Sequence, residues 1–178
     1  EKKSQRLKVL IEDLFGISKA GSGNVKLELM DVDVVNLFKQ VKLELEDKIK
    51  KADLDFRCSY PEEKLTVRLD SQKTYRIFEN LLVNIVKYAM PHTRVFIEIL
   101  REDDQAVIRM KNISEQELNI QGQELTERFV RGDASRNTEG AGLGLAIVKS
   151  FVELQGGEFG IEIDGDLFKT QVRFRDLC

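Results

Sequence analysis

Two hydrophobic periods alternate along the chain, and they predict helices separated by pairs of strands. Apolar residues recur every three or four positions in four segments, which is typical of amphipathic helices. These segments are residues 3–18, about 33–51, 71–89 and about 143–155. Between them, runs that alternate apolar and polar residues predict short strands.

Turn-forming residues join most of the predicted strands in pairs. We predict three hairpins: LDFRCSY with KLTVRLD around PEE, TRVFIEILRE with QAVIRMKNI around Asp103 and Asp104, and EFGIEI with FKTQVRF around residues 164–166. A single short strand, VKLELM, precedes the second helix, which Asp31 or Asp33 can cap. This order predicts an α+β fold, a two-layer α/β sandwich whose mixed, mostly antiparallel sheet carries its helices on one face.

Glycine-rich and polar stretches divide the chain. KAGSGN at 19–24 separates the first helix from the rest. We therefore expect an N-terminal helical segment over 1–20, a linker with a short strand over 21–31, and one domain over 32–178. A polar stretch after Ile113 interrupts that domain, with a short helix expected around ELTERF.

Composition describes an ordinary globular protein and excludes several classes. The 178 residues are 42% hydrophobic and 33% charged, with a net charge of −3, so no concentrated basic surface points to nucleic acid. Two cysteines make neither a disulfide framework nor a metal cluster, which favours a reducing, cytoplasmic compartment. No apolar run approaches the roughly 18–20 residues that span a bilayer. Because the chain starts with Glu1 inside a helical pattern, we interpret it as part of a longer protein.

The stretch EGAGLGLAIVKS, residues 139–150, places three glycines at alternate positions before a helix. Its spacing fits neither the dinucleotide fingerprint G-x-G-x-x-G nor the P-loop. Glycines still let a backbone approach an anion, and a helix N-terminus offers free N–H groups and a favourable dipole. Spacing alone leaves a phosphate cradle and a flexible loop equally supported.

The long helix over 71–89 carries polar side chains opposite its apolar arc. Asn80, Asn84 and Lys87 share that polar side, and Tyr88 is adjacent to Asn84. Asparagine disfavours helix interiors, so two of them one turn apart suggest a role other than burial. An asparagine carbonyl suits Mg²⁺, and Lys87 could meet a phosphate. A solvated polar face explains the same residues without a ligand.

Several ordered motifs together resemble the catalytic, ATP-binding domain of bacterial sensor histidine kinases, within the Bergerat-fold ATPases. The family's asparagine box is similar to NLLVNIVKY at 80–88, its phenylalanine box to ELTERFVRGD at 124–133, and its glycine box to GAGLGLAIVK at 140–149. SQRLKVLIEDL, near the start, resembles the end of the second helix of the family's dimerization domain. By this resemblance, residues 1–20 would be a remnant of that helix and 32–178 the catalytic domain.

The resemblance implies that the chain binds ATP and Mg²⁺. Asn84 would bind Mg²⁺, Asn80 would join it in binding the nucleotide and in catalysis, and Lys87 and Tyr88 would contact the triphosphate and ribose region. At the position of Asn80, ATP-hydrolysing relatives carry a glutamate that activates water. Asparagine cannot act as a base, which favours phosphoryl transfer to a side chain over hydrolysis.

The phenylalanine and glycine boxes supply the rest of the expected site. Arg131 would reach the γ-phosphate through a charge-assisted contact. Gly140, Gly142 and Gly144 would form the hinge and cradle of a lid. Leu143 lies among these nucleotide-facing residues, although its side chain is more typical of packing.

One box departs from the family pattern. The family reads Asp-x-Gly-x-Gly where this chain reads KNISEQELNI, so Asn112 replaces an aspartate that accepts from the adenine amino group. Ser114 and Gln116 replace the glycines. An amide can still accept from an amine and donate toward a ring nitrogen. We therefore expect Asn112 to contact adenine.

The family's phosphoacceptor histidine is not among these residues. His92 follows the long helix after Pro91, and we assign it no catalytic role.

The resemblance thus implies an ATP-binding part of a protein-histidine kinase. Its partners would be a histidine on its own dimerization domain and a response regulator. The parent would be a homodimeric, membrane-bound sensor whose cytoplasmic portion includes this chain. The alternatives are a nucleotide-free scaffold and an ATP-hydrolysing Bergerat protein.

Overall fold

The computed structural model describes residues 26–118 and 143–178. The helix predicted over 3–18 and the short helix predicted around ELTERF lie outside the described residues. The described elements, in chain order, are β1 (Leu29–Asp33), α1 (Val34–Glu44), α2 (Glu46–Lys51), β2 (Leu54–Ser59), β3 (Thr66–Asp70), α3 (Ser71–Tyr88), β4 (Thr93–Glu102), β5 (Gln105–Ile113), α4 (Leu143–Leu154), β6 (Glu158–Asp164) and β7 (Leu167–Phe174).

The main sheet has five strands in the order β2-β4-β5-β7-β6. Strands β2 and β4 run parallel, and every other neighbouring pair is antiparallel. A second, two-stranded sheet pairs β1 with β3. The predicted mixed, mostly antiparallel α/β sandwich is therefore confirmed.

Strict alternation along the strands separates a covered face of the main sheet from an open one. In β7, every second residue is buried: Phe168, Thr170, Val172 and Phe174. These side chains join one core with the apolar faces of the helices, where Phe38 of α1 meets Phe78 of α3 edge-on with ring centroids 5.6 Å apart. The polar and charged positions of the strands occupy the open face.

The hairpin predicted around PEE is wrong, although both of its strands exist. Strand β2 pairs with β4 in the main sheet, whereas β3 pairs with β1 in the small sheet. Alternation reports that a segment is half-buried, but it does not report which strand is its partner. The other two hairpins are confirmed, and Gly165, with φ of 60°, forms the turn of the last one.

The helix predicted to reach Lys51 is interrupted at Leu45, which has φ of −98° and ψ of 7°. The result is two helices, α1 and α2. Asp33 caps α1 by accepting from the Asn36 N–H at 3.1 Å, as the sequence predicted. The first strand lies at Leu29–Asp33, a few residues later than VKLELM predicted.

Helix α3 matches its predicted span closely. Asp70 caps it by accepting from the Lys73 N–H at 3.1 Å, and the helix ends at Tyr88, ahead of Pro91. Helix α4 ends at Leu154, and Gly156 follows with φ of 77°, the left-handed conformation that glycine adopts readily. Among the helices that the structure describes, none is long and apolar enough to cross a membrane.

Candidate functional site

Helix α3 presents its polar residues along one side, as the helical spacing predicted. Its apolar arc is buried in the core, with Leu82 fully enclosed. Asn80 and Asn84 are half-buried beside that arc, while Lys87 and Tyr88 are exposed in the last turn. The two amides therefore stand at the rim of the core, where they can face a ligand.

The first turn of α4 lies directly against Asn80. The Asn80 side-chain amide donates to the Arg76 carbonyl at 2.7 Å, and its oxygen points toward Gly144. A Cβ at Gly144 would stand 3.3 Å from that oxygen, so glycine permits the close approach. The structure thus brings together the polar side of α3 and the start of α4, although Asn80 and Gly144 are 64 positions apart in the sequence.

The start of α4 adds an electrostatic feature to the same place. The first N–H groups of any helix have no partners within the helix, and the aligned peptide dipoles place partial positive charge there. An anion held near Asn80 would meet that positive end.

The carboxylate that precedes Asn80 in the sequence already has a partner. Glu79 forms an ion pair with Arg76, one turn earlier on α3. Four residues before Asn84 the chain has the amide of Asn80, which cannot accept a proton from water. The polar side of α3 therefore has an amide, and no base, at the position four residues before Asn84.

The end of α3 is fastened to the end of β5. The Met90 N–H donates to the Ile113 carbonyl at 2.8 Å, and the Glu115 N–H donates to the Tyr88 carbonyl at 2.9 Å. These bonds bring Asn112, the next-to-last residue of β5, near the last turns of α3. Residues from the asparagine box and from the variant KNIS segment therefore share one region.

Ser114 shapes the chain where the family pattern has a glycine. Its N–H donates to the Asp166 carbonyl at 2.7 Å, and its hydroxyl accepts from the Gln116 N–H at 3.3 Å. Ser114 is 5% exposed. The serine thus builds a local turn, which is a different loop path from one that glycines would allow.

Two of the buried polar residues differ from the others because no side-chain hydrogen bond engages them within the described residues. The buried polar residues are Asp70, Thr74, Asn112, Ser114, Gln155 and Thr170. Side-chain hydrogen bonds engage Asp70, Thr74, Ser114 and Gln155. Within the part of the chain that the structure describes, no such bond engages Asn112 or Thr170. Every fully enclosed side-chain nitrogen or oxygen among the described residues has a partner, so the polar atoms of Asn112 and Thr170 keep contact with accessible space, where a ligand could meet them.

Asn112 and Thr170 are close to each other on the covered face of the sheet. Asn112 pairs with Phe168 and Met110 pairs with Thr170, which makes the two polar residues diagonal neighbours on β5 and β7. Sequence reasoning missed Thr170. Its signal was a hydroxyl at an inward position of FKTQVRF, where the alternation otherwise places apolar side chains.

Tyr88 adds a hydrogen-bond donor at the edge of this region. The residue is 39% exposed, and desolvation raises the pKa of its phenol. The hydroxyl therefore stays protonated well above neutral pH and can donate to an anionic or ribose oxygen.

Part of the predicted site lies outside the described residues, namely Arg131, Gly140 and Gly142. Leu143 is the first residue of α4. Asn80, Asn84, Lys87 and Tyr88 lie on α3, Gly144 lies in the first turn of α4 and Asn112 lies near the end of β5.

Comparison with known proteins identifies the class to which this fold and site correspond. Residues 69–175 match the family described as Histidine kinase-, DNA gyrase B-, and HSP90-like ATPase. The matched range covers more than half of the chain, and the chain belongs to this family. Within it, the chain is an ATP-binding catalytic domain of the sensor histidine kinase type, as the following relatives indicate.

The probable sensor protein PcoS of Escherichia coli is 32% identical over 171 residues, which is 95% of this chain and 36% of that protein. The catalytic domain of histidine kinase ThkA aligns with a TM-score of 0.73 at 20% identity, covering 84% of this chain and 97% of that one. Full-length ShkA in complex with AMPPNP aligns with a TM-score of 0.79 at 21% identity, and the alignment covers 98% of this chain and 36% of ShkA. The chain spans about a third of the length of PcoS.

Proposed function

We propose that this chain binds Mg²⁺-ATP in the region between α3, the start of α4 and the end of β5. The observation that carries the proposal is that the buried Asn112 and Thr170 and the half-buried Asn84 make no side-chain hydrogen bond within the described residues. The family match to ATPases supports a nucleotide as the ligand. The AMPPNP complex of ShkA, a structural neighbour, agrees with that choice.

In this proposal the two ends of the nucleotide meet different elements. The adenine would lie against Asn112 and Thr170 on the sheet. The phosphates would lie toward the positive end of α4, where Lys87 adds a positive charge. Tyr88 would contact the ribose region, and Arg131, Gly140 and Gly142 would complete the phosphate side.

Mg²⁺ would be held by the Asn84 carbonyl together with phosphate oxygens and water. Oxygen ligands in small number suit this ion, which keeps several waters when it binds proteins. In residues 26–118 and 143–178 no group of three or more His, Cys, Asp or Glu side chains could hold a metal. The proposed ion therefore depends on the nucleotide for most of its ligands, and it would neutralise charge on the phosphates.

We further propose that the protein containing this chain transfers the γ-phosphoryl group to a histidine outside it. Asn80 removes the base that hydrolysis requires, and Glu79 is engaged by Arg76. Positioning and charge neutralisation then carry the reaction. The partners would be a dimerization domain, in a homodimeric parent, and a response regulator. The chain would form part of the cytoplasmic portion of a membrane-bound sensor.

A phosphotransfer assay tests this function. The chain is mixed with γ-labelled ATP, Mg²⁺ and a separately produced dimerization domain of a related sensor kinase that carries its histidine. We expect acid-labile label on that domain, lost when its histidine is replaced by alanine, and no label on this chain alone. Rapid release of free phosphate without transfer would instead support an ATP-hydrolysing protein, and the absence of both would support a scaffold.

A further inference from the structure

Asn112 differs from a carboxylate in a way that determines which purine a site accepts. A carboxylate only accepts hydrogen bonds, so it selects a base whose 6-substituent is a donor, such as the adenine amine. An amide carries an acceptor and donors side by side, and a half-turn of its terminal torsion exchanges them. The same side chain can therefore pair with a 6-amino or a 6-oxo purine.

The structure leaves the Asn112 amide free to make that exchange. The residue is 4% exposed, yet no hydrogen bond within the described residues holds its side chain in one orientation. All fully enclosed side-chain nitrogen and oxygen atoms in the described part have partners, so the amide of Asn112 opens onto accessible space. A neighbour that accepted from the amide nitrogen, or donated to its oxygen, would fix the orientation and select one base.

The immediate surroundings of Asn112 impose no selection of their own. Its cross-strand partner is Phe168, and Met110 precedes it on the same face, so both of these neighbours are apolar. Thr170, the diagonal neighbour, carries a hydroxyl that both donates and accepts. The Asn112 amide and the Thr170 hydroxyl can therefore each bond either a donor or an acceptor on the ligand.

We infer that Asn112 relaxes base selection, so that the site accepts 6-oxo purine nucleoside triphosphates as well as ATP. This inference rests on the proposed nucleotide site. Facing a 6-amino purine, the amide oxygen accepts from the amine and the amide nitrogen donates to ring N1. Facing a 6-oxo purine, the nitrogen donates to the oxygen and the amide oxygen accepts from the protonated N1. An aspartate in this position would confront the 6-oxo group with a second acceptor, and that contact is repulsive.

Inosine triphosphate isolates this effect because it differs from ATP only at position 6 and in the proton on N1. Titration calorimetry in Mg²⁺ gives the ratio of its Kd to that of ATP for the wild type, Asn112→Asp and the control Asn36→Asp. Asn36 is exposed on α1, so its substitution changes the net charge equally without touching the site. We expect a ratio below about tenfold for the wild type and the control, and a ratio raised at least about tenfold further in Asn112→Asp.

The outcomes separate the inference from the function on which it rests. A wild-type ratio of tenfold or more, or a ratio that Asn112→Asp changes by less than tenfold, would overturn the inference while leaving ATP binding intact. Failure of the wild type to bind either nucleotide would overturn the proposed site and the inference together. If Asn112→Asp does not fold, Asn112→Ala replaces it. That variant is expected to weaken both nucleotides without favouring ATP, and a rise in the ratio would overturn the inference.

Discussion

On the open face of the sheet, ion pairs rather than apolar contacts connect side chains of neighbouring strands. Glu102 accepts from Arg109 at 2.8 Å and from Arg173 at 2.9 Å, linking β4, β5 and β7. These two guanidinium groups lower the pKa of the Glu102 carboxyl. Because the carboxyl is partly exposed, the network is a modest contribution to stability that depends on pH and salt.

We predict that Glu102→Gln lowers the Tm at neutral pH but not in acid. The folded-state pKa of Glu102 lies below that of the unfolded chain, about 4.3. Its stabilisation is therefore fully present above that pH and disappears as the pH falls through the lowered folded-state value. Thermal melts from pH 7 to pH 2.5 would show the gap between wild type and variant closing.

Glu63→Gln provides the control, because Glu63 is exposed in the loop between β2 and β3. Its substitution should change the Tm at pH 7 less than Glu102→Gln does, because surface substitutions away from ion-pair networks have small effects. A Glu102→Gln difference that persists unchanged into acid would mean that the two arginines do not act through the charge of Glu102.

Gly157 is a residue whose hydrogen atom cannot be replaced by a methyl group. A Cβ there would overlap the Arg173 carbonyl and come within 3.0 Å of a Val152 methyl group. We predict that Gly157→Ala reduces the free energy of unfolding by about 1–3 kcal/mol, the usual effect of overpacking. Gly160→Ala is the matched control, since nothing lies within 4 Å of a Cβ there. Equal denaturant midpoints for the two variants would contradict the prediction.

The partners of single residues were harder to predict than their burial. The polar face of α3 could be predicted from the sequence because helical spacing determines which residues share a face. Thr170 and Asn112 became a pair only through the register of β5 with β7, which no local pattern contains.

At the scale of elements, one buried side chain fastens α4 to α3. The Gln155 oxygen accepts from the Asp70 N–H at 2.8 Å and from the Thr74 hydroxyl at 3.5 Å, while its nitrogen donates to the Phe151 carbonyl at 3.1 Å. Asp70 is also the cap of α3. The start of α3 and the end of α4 are thus held together, away from the contact between Asn80 and Gly144.

We predict that Gln155→Leu destabilises the fold by about 1–3 kcal/mol, because it leaves the buried N–H of Asp70 without a partner. Chemical denaturation measures the loss. Gln40→Leu removes an exposed hydrogen bond to Glu44 on α1 and should change stability by less than about 0.5 kcal/mol. A loss in Gln155→Leu no larger than in Gln40→Leu would show that the network is dispensable.

Elements joined by tight turns were predicted correctly, and those whose partners are distant were not. The hairpins β4–β5 and β6–β7 follow from short turns, of which Gly165 is one. Strands β2 and β3 look alike in sequence, but each pairs elsewhere because the chain between them leads from one sheet to the other. The break at Leu45 was missed because the apolar spacing continues through Leu45 to Ile49, and both of these side chains are buried.

At the scale of the whole molecule, the fold brings three segments that are distant in sequence to the proposed nucleotide site. Helix α3 contributes the asparagines, α4 its positive end, and the β5–β7 pair two buried polar groups. The family match covers residues 69–175, which include all three. The division of the chain into 1–20, 21–31 and 32–178 stays a prediction, as do the roles of all the predicted site residues.

The central claim is that these segments together hold Mg²⁺-ATP, and titration calorimetry tests it most directly. We predict saturable binding at one site per chain in the wild type and in Asn36→Ala, and affinity weakened at least about tenfold in Asn84→Ala. A wild-type chain that binds no Mg²⁺-ATP, or an Asn84→Ala variant that binds it as tightly as the wild type, would contradict the account.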